Sequence, residues 1–218
     1  MVNAGVSGYG IDQSFLRARY FLNRERFSAV IFSFIFDDIR RCQMSVIWSE
    51  PKPYFELRNG QLTLENVPVP TPSKESGLLI LLEHSQLVHS VMKRLAPTWW
   101  LDRTVQVQNT DKAVKVACVV LHQLEELTTS RGSRLIVVVQ RIDDETEFRS
   151  LAVDGAKGVL SCLSDPATRV LDLKPALSEL KASEPSKYNK FYIKHYGHMT
   201  AEGNHFVALQ VSKLLPQQ

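Results

Sequence analysis

Hydrophobic and polar positions divide this chain into alternating short apolar runs and longer amphipathic stretches. Phe27 to Phe36 is a nearly continuous β-branched and aromatic run. Leu135 to Val139 and Arg169 to Leu173 are two more, each short enough for a strand. Runs that are apolar throughout suit strands of a parallel sheet covered by helices on both faces. Between them the period changes. Phe15, Ala18 and Leu22 recur at helical spacing over 13–27, and Leu87, Val88, Val91 and Leu95 do so before Pro97. Ala113 to Leu127 carries a wide helical stripe that Gly132 closes, and 146–163 reads as a helix weakened by Gly155 and Gly158. A polar loop follows Leu173, including Ser183 to Lys187. Thr200 then N-caps a last helix bearing Phe206, Val207, Val211 and Leu215. Strand–helix alternation of this kind predicts an α/β fold with a doubly wound parallel sheet.

Residues 51–72 break that rhythm. Tyr54 to Arg58 and Gln61 to Glu65 flank Asn59-Gly60, the strongest short-range signal for a hairpin with a type I′ turn. Three prolines at alternate positions, Pro68, Pro70 and Pro72, exclude helix and central strand after it. The segment reads as a hairpin insertion able to cover part of a cleft.

The totals narrow the possibilities only slightly. The 218 residues are 44% hydrophobic and 22% charged, enough for one α/β domain with a core. A net charge of +3 with no Lys/Arg run gives no support for a nucleic-acid or anionic-membrane partner. No apolar run is long enough to span a bilayer. Cys42, Cys118 and Cys162 are odd in number and widely spaced, fit neither a disulfide framework nor a zinc site, and read as small buried hydrophobes.

Candidate chemistry begins at the start of the chain. Gly5, Gly8 and Gly10 fall within six residues, directly before a helical pattern. Such a turn allows close approach and can present a bare N–H to a bound oxygen near a helix N-terminus. Asp37-Asp38 ends the first apolar run, and the carboxyl ends of parallel strands are where α/β proteins hold ligands. These aspartates also suit a helix cap. As a divalent-cation pair they lack a third acidic ligand. His198 leads into the last helix; His195 and His205 flank it without forming a common zinc signature. His84, His89 and His122 lie on helical patterns as surface or packing residues.

Taken together, three stretches resemble the SGNH (GDSL-type) hydrolase superfamily. Asn3 to Gly8, with Tyr9-Gly10-Ile11-Asp12-Gln13, is similar to its second block; Phe34-Ile35-Phe36-Asp37-Asp38 sits where its third block, Gly-x-Asn-Asp, falls; and His198 to Ala208 resembles its last block. The resemblance implies a flavodoxin-like three-layer α/β/α fold with a parallel sheet, and a serine ester hydrolase or acyl transferase without cofactor or metal. It makes Gly8 an oxyanion-hole donor, puts Asp37 in the asparagine position of that hole, and makes His198 the catalytic general base. The implied substrate is a small-molecule or carbohydrate ester, with carbohydrate O-acetyl transfer a close variant.

The departures are specific. No Gly-Asp-Ser occurs in the chain, Asp37 stands in place of asparagine, and His195 and Tyr196 occupy the positions of the acid that orients the histidine. A carboxylate accepts hydrogen bonds and repels an oxyanion; only when protonated does it donate. In the implied sheet order, 2-1-3-4-5, the first strand lies centrally. The expectation is therefore a single, N-terminally incomplete domain over 1–218, with serine and first strand upstream of Met1. The alternatives are an inactive SGNH-like domain that binds a ligand or partner, and a truncated fragment. The compartment is cytoplasmic as the chain stands, and exported or membrane-anchored if an upstream segment carries a signal.

Overall fold

The computed structural model describes residues 1–47, 50–71, 85–95, 110–141, 149–193 and 197–215. Three parallel strands form its central sheet: β1 (Ala29–Phe34), β6 (Arg134–Val139) and β7 (Arg169–Asp172), in the order β1-β6-β7. Ala29 pairs with Arg134 and Phe34 with Val139 on one side of β6; Ile136 pairs with Arg169 and Val139 with Asp172 on the other. The protein is thus a mixed α/β structure, with helices against both sheet faces.

One face carries Phe32, Phe34, Leu135, Val137 and Val139. It packs against α1 (Ile11–Leu22), the long helix α4 (Thr110–Ser130) and α5 (Arg149–Leu160). Ala113, Val116, Ala117, Val120, Leu121 and Leu124 of α4 are all buried there, as the wide stripe predicts. Gly132, at φ +70°, ends α4: Ser133 N–H reaches back to Thr128 O and Gly132 N–H to Thr129 O, the two bonds of a Schellman cap. The other face carries Ile136, Val138 and Leu171 under α6 (Lys174–Ser183), α7 (Pro185–Tyr188) and α8 (Ala201–Ser212). The expected polar loop after Leu173 is instead these first two helices. Leu173, Leu177 and Leu180 give the stretch a buried apolar stripe, and Pro175 suits its first turn. Thr200 caps α8 by accepting from Gly203 N–H at 3.3 Å.

A hairpin forms about Asn59-Gly60. β4 (Tyr54–Arg58) pairs antiparallel with β5 (Gln61–Glu65), and the turn residues Asn59 and Gly60 have φ +51° and +80°. Its contacts are with helices: Phe55 is buried 6.0 Å from the ring of Phe15, and Leu57, Leu62 and Leu64 extend the first core. Between β1 and the hairpin lie α2 (Phe36–Arg41) and the small antiparallel pair β2 (Val46–Ile47) and β3 (Glu50–Pro51). A further helix, α3 (Gln86–Leu95), matches its predicted stripe. The apolar run at 78–82, His84, and Trp99 and Trp100 lie outside the described residues.

Two expectations are corrected. Cys118 and Cys162 are joined as a disulfide, and only Cys42 remains free and buried. Pairing was hidden in the sequence because the two lie 44 positions apart, one on α4 and the other in the turn after α5. Secondly, β1 is not covered on both sides. Phe32 and Phe34 are buried, but Ile31 and Ser33 are exposed. Ser28 O accepts from Arg134 N–H of β6 and Phe34 O from Gln140 N–H just beyond it, so in a strand the N–H and C=O of Ala29, Ile31 and Ser33 point the other way. Among the described residues no strand pairs with that edge. No helix among the described residues is long and apolar enough to cross a membrane.

Candidate functional site

The glycine-rich opening leads directly into α1. Gly8 has φ +81° in a turn closed by Tyr9 N–H to Val6 O, and its own N–H has no partner among the described residues. Gly10 is the N-cap of α1 and is buried against α2: a Cβ there would lie 2.8 Å from Cβ of Arg41 and 3.1 Å from the carbonyl oxygen of Asp38. Only glycine permits this approach, which holds the start of α1 against α2, the helix that follows β1.

Two residues further on, Asp12 is fully buried and forms an ion pair with buried Lys52. Lys52 Nζ also donates to Arg41 O at 3.0 Å, so one ammonium ties the start of α1 to the end of α2. Burial pushes the Asp12 carboxyl above its ordinary range, against the pull of Lys52. Cys42 sits beside them; burial raises its thiol well above the usual value and the Asp12 carboxylate adds to this.

Asp37 and Asp38 occupy the first turn of α2, where carboxylates suit the helix dipole. Asp37 accepts from Arg40 Nη1 at 2.9 Å. Asp38 accepts from the N–H of Ile35 at 2.9 Å and from Arg41 at 2.7 Å. Despite these partners, burial raises the Asp38 carboxyl to about 6.

At the same end of the sheet, Gln140 N–H donates to Phe34 O, and Arg141 forms a two-pronged pair with Asp172, at 2.9 Å to each carboxylate oxygen. Tyr192 Oη donates to Arg141 O at 3.3 Å. Tyr192 bridges Met199 in antiparallel fashion, and Ile193 N–H donates to His198 O at 2.8 Å. This series of contacts attaches the His198 loop to the carboxyl end of β6. The His198 side chain is exposed, and among the described residues no carboxylate lies within ion-pair distance of it.

Of the predicted site residues, Gly8 and Asp37 are therefore linked through the Gly10–Asp38 contact, while His198 is linked to the sheet end through Tyr192 and Arg141. Among the described residues no hydrogen bond or ion pair joins His198 to either. Sequence reasoning missed Asp12, Lys52 and the Arg141–Asp172 pair. Asp172 carried a signal, a carboxylate at the tip of an apolar run. The Asp12–Lys52 partnership spans 40 positions and carried none. His122 lies near Glu125 and Glu126, at 3.8 and 3.6 Å, away from these residues on α4. Among the described residues no three His, Cys, Asp or Glu side chains are grouped to hold a metal ion.

No family model, no curated protein and no solved structure matches this chain.

Proposed function

We propose that the chain is the larger part of an SGNH-type hydrolase acting on carboxylic esters of a small molecule or a carbohydrate. In this reading Gly8 N–H binds the oxyanion and His198 is the general base. The attacking serine belongs to a strand outside these 218 residues that runs along the open edge of β1. A serine hydroxyl at the carboxyl end of that strand attacks the acyl carbon, His198 takes its proton, and water then releases the acyl group. The reading rests on one observation above all: the Gly8 N–H, unpartnered among the described residues, lies in a turn whose Gly10 packs on α2, the helix that follows a strand whose outer edge is unpaired among those residues.

A second reading has its own support. Asp37 is engaged as an acceptor by Arg40, so its carboxylate is set up to hold a cation rather than to donate to an oxyanion. That favours a non-catalytic domain of the same type, which holds a ligand or partner. Turnover of p-nitrophenyl acetate separates the two. The hydrolase reading expects no turnover by the 218-residue chain, turnover by an N-terminally extended chain, and loss of it in His198→Ala. No turnover by either, with cooperative melting of both, would select the non-catalytic reading.

A further inference from the structure

The disulfide joins α4 to the turn that follows α5, and the two helices also pack closely without it. Cys118 lies within α4, and Cys162 lies two residues beyond the end of α5. Their Cα atoms are 5.4 Å apart, within the range that a disulfide spans without moving the backbone. Both residues are half-buried, whereas Cys42 is fully buried.

Around the bond α5 sits tightly. A Cβ at Gly158 would lie 2.6 Å from Cγ1 of Val114, and one at Gly155 would lie 2.9 Å from the ring of Phe36. Phe36 is the neighbour of Asp37, so α5 supports the first turn of α2. The connection from α5 to β7 has a separate anchor. The buried Glu125 carboxylate accepts from Ser164 N–H at 2.8 Å, Ser164 Oγ at 3.3 Å and Thr168 Oγ1 at 2.7 Å. Thr129 Oγ1 donates to Asp165 at 2.7 Å.

The geometry points to a reversible redox clip: Cys118 and Cys162 close by exchange with a low-molecular-weight disulfide such as glutathione disulfide, and closure holds α5 down on α4 and against Phe36. One cysteine thiolate attacks a sulfur of the small disulfide and expels a small thiolate. The second attacks the mixed disulfide, forms the Cys118–Cys162 bond and expels another. Two electrons pass to the small disulfide, and the two thiol protons end on its two released thiols. Opening runs in reverse and consumes two equivalents of small thiol. Because the Glu125 anchor contains no sulfur, opening is local to α5. The proposal stands independently of the hydrolase reading.

The test uses the full chain equilibrated in glutathione buffers from fully oxidised to fully reduced. Samples are acid-quenched, labelled with N-ethylmaleimide under denaturing conditions and weighed. One label, on Cys42, is expected at the oxidised end and three at the reduced end. Hydrogen exchange should become roughly tenfold faster over 149–160 in the reduced protein while 134–139 stays unchanged. Cys118→Ser and Cys162→Ser should each show the faster exchange over 149–160 even in oxidising buffer. Three labels at every ratio, or a bond involving Cys42, would overturn the pairing. Equal exchange over 149–160 in both forms would overturn its role as a clip.

Discussion

The β1 margin differs from the central strand β6 in how it treats apolar groups, and from the β6–β7 end of the sheet in how it treats charge. Along β6, Ile136 is 0% exposed, whereas on β1 Ile31 is 47% exposed. The charges invert. At the end of β1, Asp12 and Lys52 are paired at 0% and 4% exposure; at the end of β6–β7, Asp172 meets Arg141 with 39% of its side chain in water. A buried ion pair is weak evidence for stability, since desolvation offsets much of the attraction. An exposed isoleucine on a strand edge is a surface that natural sheets usually pair, cover or charge. The sheet's other edge strand, β7, also exposes an apolar residue, Val170 at 46%, so an exposed strand residue is common to both edges. What sets the β1 margin apart is the fully buried ion pair beside α2.

The strongest way to break the comparison is to remove one member of each charged pair. Lys52→Met strands a buried carboxylate and should destabilise the protein by about 3–5 kcal/mol in urea unfolding. Arg141→Met leaves Asp172 partly hydrated, with the N–H of Lys174 still donating to it at 2.9 Å, and should have a markedly smaller effect. If the two variants lose equal stability, the contrast between a buried and a half-solvated pair is wrong. The double variant Asp12→Leu/Lys52→Met should recover most of the loss, because no charge is then left unpaired.

The sequence made one side of this comparison legible and hid the other. The continuous apolar runs located β1, β6 and β7, and Asn59-Gly60 located the hairpin, because each signal is local. The exposure of Ile31 was not legible, since β1 is as apolar as β6 and burial depends on what lies beside it. The helices after Leu173 were obscured by Ser183 to Lys187, although Leu177 and Leu180 already carried their spacing. At the candidate site, Gly8 and Asp37 were locally readable. Lys52 was not, because a lysine between two prolines gives no hint that it reaches across to Asp12. The disulfide was unreadable for the same reason of distance along the chain.

A smaller effect sharpens the electrostatic half of the contrast. Asp38 titrates near 6 in the folded protein against 3.8 for a free side chain. Between those values the folded state holds a proton that the unfolded state has released. Its contribution to stability is thus complete below about pH 4 and is lost as pH rises through about 6. The loss is on the order of 3 kcal/mol, since each tenfold change in proton affinity is worth about 1.4 kcal/mol. Urea unfolding from pH 4 to 7 should show a slope that Asp38→Asn removes. An unchanged slope in that variant would assign the pH dependence to another group, with Asp12, whose carboxyl is also raised, the next to test.

The smallest effect probes the open edge itself. Ile31→Lys replaces an exposed side chain on a strand whose outer edge has no partner among the described residues, so in the 218-residue chain it should change stability by no more than about 0.5 kcal/mol. The same change at Ile136 would place a charge in a closed core and should prevent folding. In an N-terminally extended chain the expectation for Ile31 reverses. A strand laid along β1 would bring a covered neighbour up to position 31, and Ile31→Lys would then weaken the extended protein by more than about 1 kcal/mol and lower its esterase turnover. If Ile31→Lys is equally silent in both chains, no strand docks at this edge. The serine of the proposed reaction would then have no place beside Gly8, and the exposed isoleucine would be an ordinary surface residue.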